Sequence, residues 1–184
     1  MDTREKILHC AEDLFRQKGY NGVSLRDIAE AAGIRVGNLT YYYPRKEQLV
    51  EAIFSRRHGN VLTPERLGSA AEFEAYFRHL LSVQRRSAFY FDSYVQLSQT
   101  SEYFRRFQTG RIARLRGLFE EGLRLMAEAG EIPPESRPGA FADTAENILT
   151  VQMLRLPGEE RQFAPEAQDE AVLRRAMALL GVKK

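Results

Sequence analysis

The chain has 184 residues, enough for one large or two small domains and a sizeable core. Its 43% hydrophobic and 28% charged residues exclude a disordered chain, and no apolar run approaches the length of a membrane span. A net charge of only +2 excludes bulk electrostatics as the basis of nucleic-acid binding, which must rest on a local patch. Cys10 is the single cysteine and cannot form an internal disulfide, and the start "MDTREKILHC" lacks a signal peptide's apolar stretch, so the expectation is a cytoplasmic protein.

Apolar residues recur at three- and four-residue steps throughout, and the expected fold class is all-α. Ile7, Leu8, Ala11, Leu14 and Phe15 make one stripe of a helix over residues 3–18, which Gly19 ends and onto which Tyr20 packs back. Ser24 opens a second helix, with Asp27 three residues on as in a capping box and Leu25, Ile28 and Ala29 inside. Gly33 supplies a tight turn, Ile34 plugs the core, and a third helix runs from Val36 to Tyr43. Pro44 suits the first position of a fourth helix carried by Leu49, Val50, Ile53 and Phe54.

Two short helices joined by a glycine turn after a longer one form a helix-turn-helix pattern, in which the second helix of the pair enters the DNA major groove. With Leu39 at zero and about 100° per residue, Val36, Tyr42 and Tyr43 share its side. Gly37, Asn38, Thr40 and Tyr41 face outward. Gly37 lets the backbone come close, Asn38 can pair with a base edge, and Thr40 or Tyr41 can meet a thymine methyl. Tyr42 lies at the flank, within reach of a phosphate. Residues 33–46 hold Arg35, Arg45 and Lys46 and no acid. Free amides near Pro44, with Lys46, suit a phosphate.

The segment "SLRDIAEAAGIRVGNLTYYYPRKEQL", residues 24–49, resembles the DNA-binding signature of the TetR/AcrR family of bacterial transcriptional regulators. The likeness rests on Ser24, Asp27-Ile28-Ala29, Ala32-Gly33-Ile34, Gly37, Leu39, Tyr42-Tyr43 and Lys46-Glu47-Gln48-Leu49. It implies a helix-turn-helix domain over 1–48 and a helical ligand-binding and dimerisation domain over 49–184. It also implies a double-stranded DNA operator as partner, with Ser24 and Arg26 joining Arg35, Gly37, Asn38, Thr40, Tyr41, Tyr42 and Lys46 at the DNA. Three positions depart from the pattern. Arg35 stands where a small hydroxyl residue is common, Val36 where a polar one is, and Thr40 where tyrosine is. Arginine is a poor N-cap, so the third helix leans on packing or Arg35 itself reaches DNA.

Residues 73–107 are rich in phenylalanine and tyrosine, including Phe73, Tyr76, Phe89, Phe91, Tyr103 and Phe104, which read either as core or as the wall of an apolar pocket. The resemblance implies the pocket, for a small-molecule effector, with Phe77, His79, Tyr90, Asp92, Tyr94, Gln96 and Phe107 as candidate liners. Arg105, Arg106, Arg111, Arg114 and Arg116 read as a solvated face, with an anionic ligand or a DNA contact as alternatives. Thr109-Gly110 is a candidate kink in this helix.

Helices over 140–156 and 165–180 carry more apolar residues than one thin stripe, which calls for several neighbours. Ile148, Leu149, Gln152, Val172, Ala176, Leu179 and Leu180 are the candidate homodimer interface, Val151 and Leu154 lying on other sides; a wholly intramolecular bundle is the alternative. An enzyme finds no support: there is no Walker loop, His-Glu-x-x-His, Gly-x-Ser-x-Gly or Cys-His cluster, and His9, His58 and His79 lack ligand spacing. No catalytic residue, metal or cofactor is expected.

Overall fold

A computed structural model describes residues 2–58, 63–86, 90–91, 93–153 and 165–182. Nine helices are present among the described residues: α1 Thr3–Lys18, α2 Leu25–Ala31, α3 Val36–Tyr42, α4 Lys46–His58, α5 Ala70–Arg86, α6 Tyr94–Thr100, α7 Glu102–Glu128, α8 Ala140–Met153 and α9 Pro165–Leu180. No strand occurs among the described residues, and none of these helices is long and apolar enough to cross a membrane. The chain divides into two compact units. The first holds Met1–Leu62 and Ser87–Phe107, the second Thr63–Arg86 and Gln108–Lys184.

In the first unit the expected stripe of α1 is buried at Ile7, Leu8, Ala11 and Phe15. Tyr20 does pack back, its ring centroid 5.7 Å from that of Phe15. The capping box of α2 forms in full. The Asp27 amide donates to Ser24 Oγ at 3.2 Å, and the Ser24 amide donates to Asp27 Oδ2 at 2.7 Å. The helix ends on a Schellman pair, the Ile34 amide bonding the Ala29 carbonyl and the Gly33 amide that of Glu30. This needs a left-handed residue, and Gly33 has φ +63°.

Helix α4 begins two residues later than expected, at Lys46. Pro44 and Arg45 form the bend before it, and the Arg45 amide donates to Gln48 Oε1 at 3.2 Å. Leu49, Val50, Ile53 and Phe54 of α4 are all buried in the first core. Each such side chain is worth about 1.5–3 kcal/mol when fully removed from water. Tyr90, Leu97 and Phe104 complete this core, with Phe54 4.3 Å from Tyr90 between ring centroids. The two compact units are not contiguous in sequence, and neither ends at residue 48, where the sequence expectation puts the domain boundary.

The second unit packs α5, α8, α9 and the part of α7 from Gln108 onward. Phe73 and Phe77 of α5 meet Phe119 of α7, the nearer pair of centroids being 5.0 Å apart. Gly122 lets α7 pass the Leu67 backbone closely; a Cβ there would stand 3.0 Å from the Leu67 carbonyl oxygen. Gly110, the candidate kink, lies inside helix α7. The aromatic stretch from 73 to 107 thus serves two separate cores, one in each unit.

Candidate nucleic-acid interface

Helix α3 is seven residues long and buries Leu39 completely. Tyr43, its C-cap, is also buried, and its hydroxyl accepts from Arg4 Nε at 2.9 Å. Outside, Arg35, Gly37 and Asn38 are exposed, and Tyr41 is 81% exposed. Tyr42 is 42% exposed and meets Tyr41 edge to face, centroids 5.3 Å apart. The helix wheel therefore separates the three tyrosines as expected. It errs at Val36, expected on the Leu39 side and found 37% exposed at the first position of the helix.

Several polar groups of this surface are already engaged. Thr40 is half-buried and its hydroxyl donates back to the Gly37 carbonyl at 3.1 Å. Ser24 and Asp27 are committed to the α2 cap, and the bonds from Ser24 hold the Asp27 carboxyl below the usual carboxylate range. Lys46 Nζ donates to the carbonyls of Tyr20 and Val23 at 2.7 and 2.8 Å, and stands 4.0 Å over the Tyr20 ring. Burial pushes its ammonium below the ordinary lysine value, with Glu47 opposing. The Tyr20 hydroxyl in turn donates to Glu47 Oε1 at 2.9 Å. Sequence patterns did not reveal this strap, because its acceptors are backbone carbonyls that carry no residue signal. Arg26, Arg35 and Arg45 stand exposed around α3. Arg35 is the N-cap of α3 and makes no side-chain cap bond.

The other candidates lie apart. Phe77 is fully buried in the second core and Tyr90 in the first. Phe107 is half-buried, edge-on to Phe54 at 4.7 Å, and borders a shallow depression with Glu102, Tyr103 and Arg106. His79 and Gln96 are exposed. Asp92, Phe89, Leu154 and the end of the helix expected to reach residue 156 lie outside the described residues, as does the Tyr94 side chain. Of the interface candidates, Ile148, Leu149, Gln152, Val172, Ala176 and Leu180 are buried within the chain's own second unit, while Leu179 is 40% exposed. Among the arginines of α7, Arg106 pairs with Glu102 at 2.6 Å and Arg116 with Glu146 at 3.2 Å.

A three-helix head with an exposed, acid-free third helix, in an otherwise helical chain, defines a helix-turn-helix protein. Residues 7–53, about a quarter of the chain, match the family described as "Bacterial regulatory proteins, tetR family". The chain is 40% identical over 55 residues to "Probable HTH-type transcriptional regulator YttP" of Bacillus subtilis, covering 30% of this chain and 27% of that one. It is 31% identical over 108 residues to "Biofilm operon icaADBC HTH-type negative transcriptional regulator IcaR" of Staphylococcus aureus, covering 55% and 56%. The chain thus spans about half the length, or less, of these curated relatives. A crystal structure of a TetR-family transcriptional regulator from Marinobacter aquaeolei has the same fold, with TM-score 0.79 and 19% identity over 100% of this chain and 92% of that one.

Proposed function

We propose that the protein is a cytoplasmic transcriptional repressor that binds a near-palindromic DNA operator as a homodimer and releases it on binding a small molecule. Residues 1–48 are the DNA-binding domain and 49–184 the ligand-binding and dimerising one. The observation that carries this is the outward face of α3, where Gly37, Asn38 and Tyr41 are exposed in a stretch with three cations and no acid. Asn38 and Tyr41 read base edges, with Thr40 offering its methyl and its oxygen lone pairs. Tyr42, Arg35 and Arg45 hold phosphates, and Lys46 fixes the start of α4 beside them. The curated relative IcaR, by name a negative regulator, supports the sign of regulation.

The dimer uses α8 and α9, and Leu179 in α9 and Val182 just beyond it are exposed apolar residues. Two recognition helices then enter successive major grooves of one operator. A ligand that binds the DNA-incompetent state better shifts the balance toward release.

Fluorescence anisotropy on duplexes from the DNA upstream of the protein's own gene tests this. Wild type should bind one duplex well above random DNA, and Tyr41→Ala should lose about 1–3 kcal/mol of that discrimination while folding normally. Equal binding of all duplexes, or an unaltered Tyr41→Ala, would sink the assignment of α3. A monomer in sedimentation at micromolar concentration would sink the dimer.

A further inference from the structure

The second unit has two unlike ends. At one, the Ala70 amide at the start of α5 donates to Glu131 Oε2 at 2.8 Å, just beyond the end of α7. At the same end a Cβ on Gly181, after α9, would lie 3.6 Å from the ring of Pro133, which precedes α8. Helices α5 and α7 are therefore antiparallel, and so are α8 and α9. At the other end Arg85, late in α5, pairs with Asp169, early in α9, at 3.3 Å.

Gln84 lies eleven residues after Phe73, and Gln108 eleven residues before Phe119, the ring partner of Phe73. At 1.5 Å per residue both glutamines sit about 16 Å beyond that ring pair, toward the same end. Gln152, near the end of α8, and Gln168, beside Asp169 in α9, belong to that end too. The first end and middle of this core are apolar. Its described buried polar side chains are glutamines alone, Gln84 at 5%, Gln108 at 2% and Gln152 at 1% exposure, all toward the second end.

Oε1 of Gln84, Oε1 of Gln152 and both amide heteroatoms of Gln168 are buried without a hydrogen-bond partner. Buried groups left so are costly, and leucine or methionine would fill the same volume without that cost. The geometry points to a binding site here for a neutral small molecule that carries N–H or O–H donors on an apolar body. The carboxamide oxygens accept from those donors, and the Gln168 amide can both accept and donate. A groove of about 390 Å³ lies at this end, lined by Leu81 and Leu173 and by Arg85, Ala167 and Asp169, the chain neighbours of Gln84 and Gln168. Its charges are already balanced, since Arg78 pairs with Glu74 and Glu170, and Arg85 with Asp169. An ionised ligand would therefore lack a counter-charge, which is why the assigned class is neutral.

The role of this site as an effector site rests on the ligand-responsive reading above. The test uses the full chain, with benzamide as donor-bearing probe and toluene and benzoate as controls, each followed by thermal shift and saturation-transfer NMR. Wild type should bind benzamide in preference to both controls. Gln84→Leu and Gln152→Leu should melt no lower than wild type, because each removes an unpartnered buried group, and should bind benzamide roughly tenfold more weakly. The site is overturned if benzamide fails to bind, if toluene or benzoate binds as well, or if the variants bind benzamide as wild type does. It is also overturned if both variants melt well below wild type, since the carboxamides would then be satisfied structural groups. Binding of the upstream duplex by unliganded wild type is measured alongside. Its failure would remove the regulator reading and leave the benzamide result to judge the site; its success with unchanged variants would remove the site alone.

Discussion

Replacing Lys46 by methionine separates two roles for this residue, a strap within the protein and a grip on DNA. Methionine keeps most of the apolar stem and removes the ammonium. Two bonds disappear, to the carbonyls of Tyr20 at 2.7 Å and Val23 at 2.8 Å, both in the turn between α1 and α2. A buried acceptor left without its donor costs about 1–3 kcal/mol, and these part-buried carbonyls fall in the lower half of that range. The ammonium over the Tyr20 ring adds about 0.5–1 kcal/mol. Together the loss is about 2.5–5 kcal/mol. With a urea slope of about 2 kcal/mol per molar, the unfolding midpoint of the first unit should fall by roughly 1–2.5 M. Circular dichroism in urea measures it. Arg45→Met is the control: exposed and one residue earlier, it should shift stability by no more than about 0.5 kcal/mol, and lower the salt slope of DNA binding by about one. If Lys46→Met unfolds with wild type and lowers the salt slope as Arg45→Met does, the strap is refuted and Lys46 is a phosphate ligand.

Gly37→Ala meets nothing within 4 Å and removes a flexible residue from a helix, so it should leave the melting temperature unchanged or raise stability by about 0.5–1 kcal/mol. Anisotropy should nevertheless show weaker operator binding, because the new methyl stands between α3 and the groove; undiminished affinity would mean the backbone does not approach DNA there. Ser24→Ala removes the α2 cap and should cost about 1 kcal/mol in thermal melts, with Ser24→Thr restoring most of it. At alkaline pH, burial and then the Glu47 bond hold the Tyr20 phenol well above its ordinary value of 10.0. The unfolded chain therefore gives up this proton first, and its contribution to stability is complete below pH 10 and lost as pH rises through the folded value. Tyr76, raised by burial, behaves alike in both proteins, so Tyr20→Phe should be less stable at neutral pH and fall less steeply above pH 10. Parallel curves would refute the assignment.

The head was legible because its signals are local. A capping box needs Ser24 and Asp27 three residues apart, and a Schellman turn needs Gly33 after α2; each is complete within one short window of sequence. The body was less legible because its aromatics look alike in one dimension. Tyr90 and Phe104 pack on Phe54 in the first unit, whereas Phe73 and Phe77 pack on Phe119 in the second. Which core claims a ring depends on long-range pairing, and helical periodicity sets only the face on which the ring stands. The same limit hid the glutamines. Gln84 and Gln108 carry no signal in the sequence, and Gln152 reads as an interface candidate; only the antiparallel pairing brings the three to one end.

Residue type was also a poor guide to which polar groups are free to meet DNA. Ser24, Thr40 and Lys46 all suit a phosphate or a base by chemistry. The Ser24 hydroxyl is committed to Asp27, the Thr40 hydroxyl donates to the Gly37 carbonyl, and two of the three Lys46 N–H donors go to the protein's own backbone. A committed donor must break one hydrogen bond to make another, so its net gain at an interface is small. Asn38 and Tyr41 are exposed on α3, and Arg35 and Arg45 stand exposed at its two ends. Discrimination between operators should therefore follow Asn38 and Tyr41 more than Thr40. Sequence-independent affinity should follow Arg35 and Arg45 more than Lys46. That order comes from counting engaged donors, a quantity that exists only once the chain is folded.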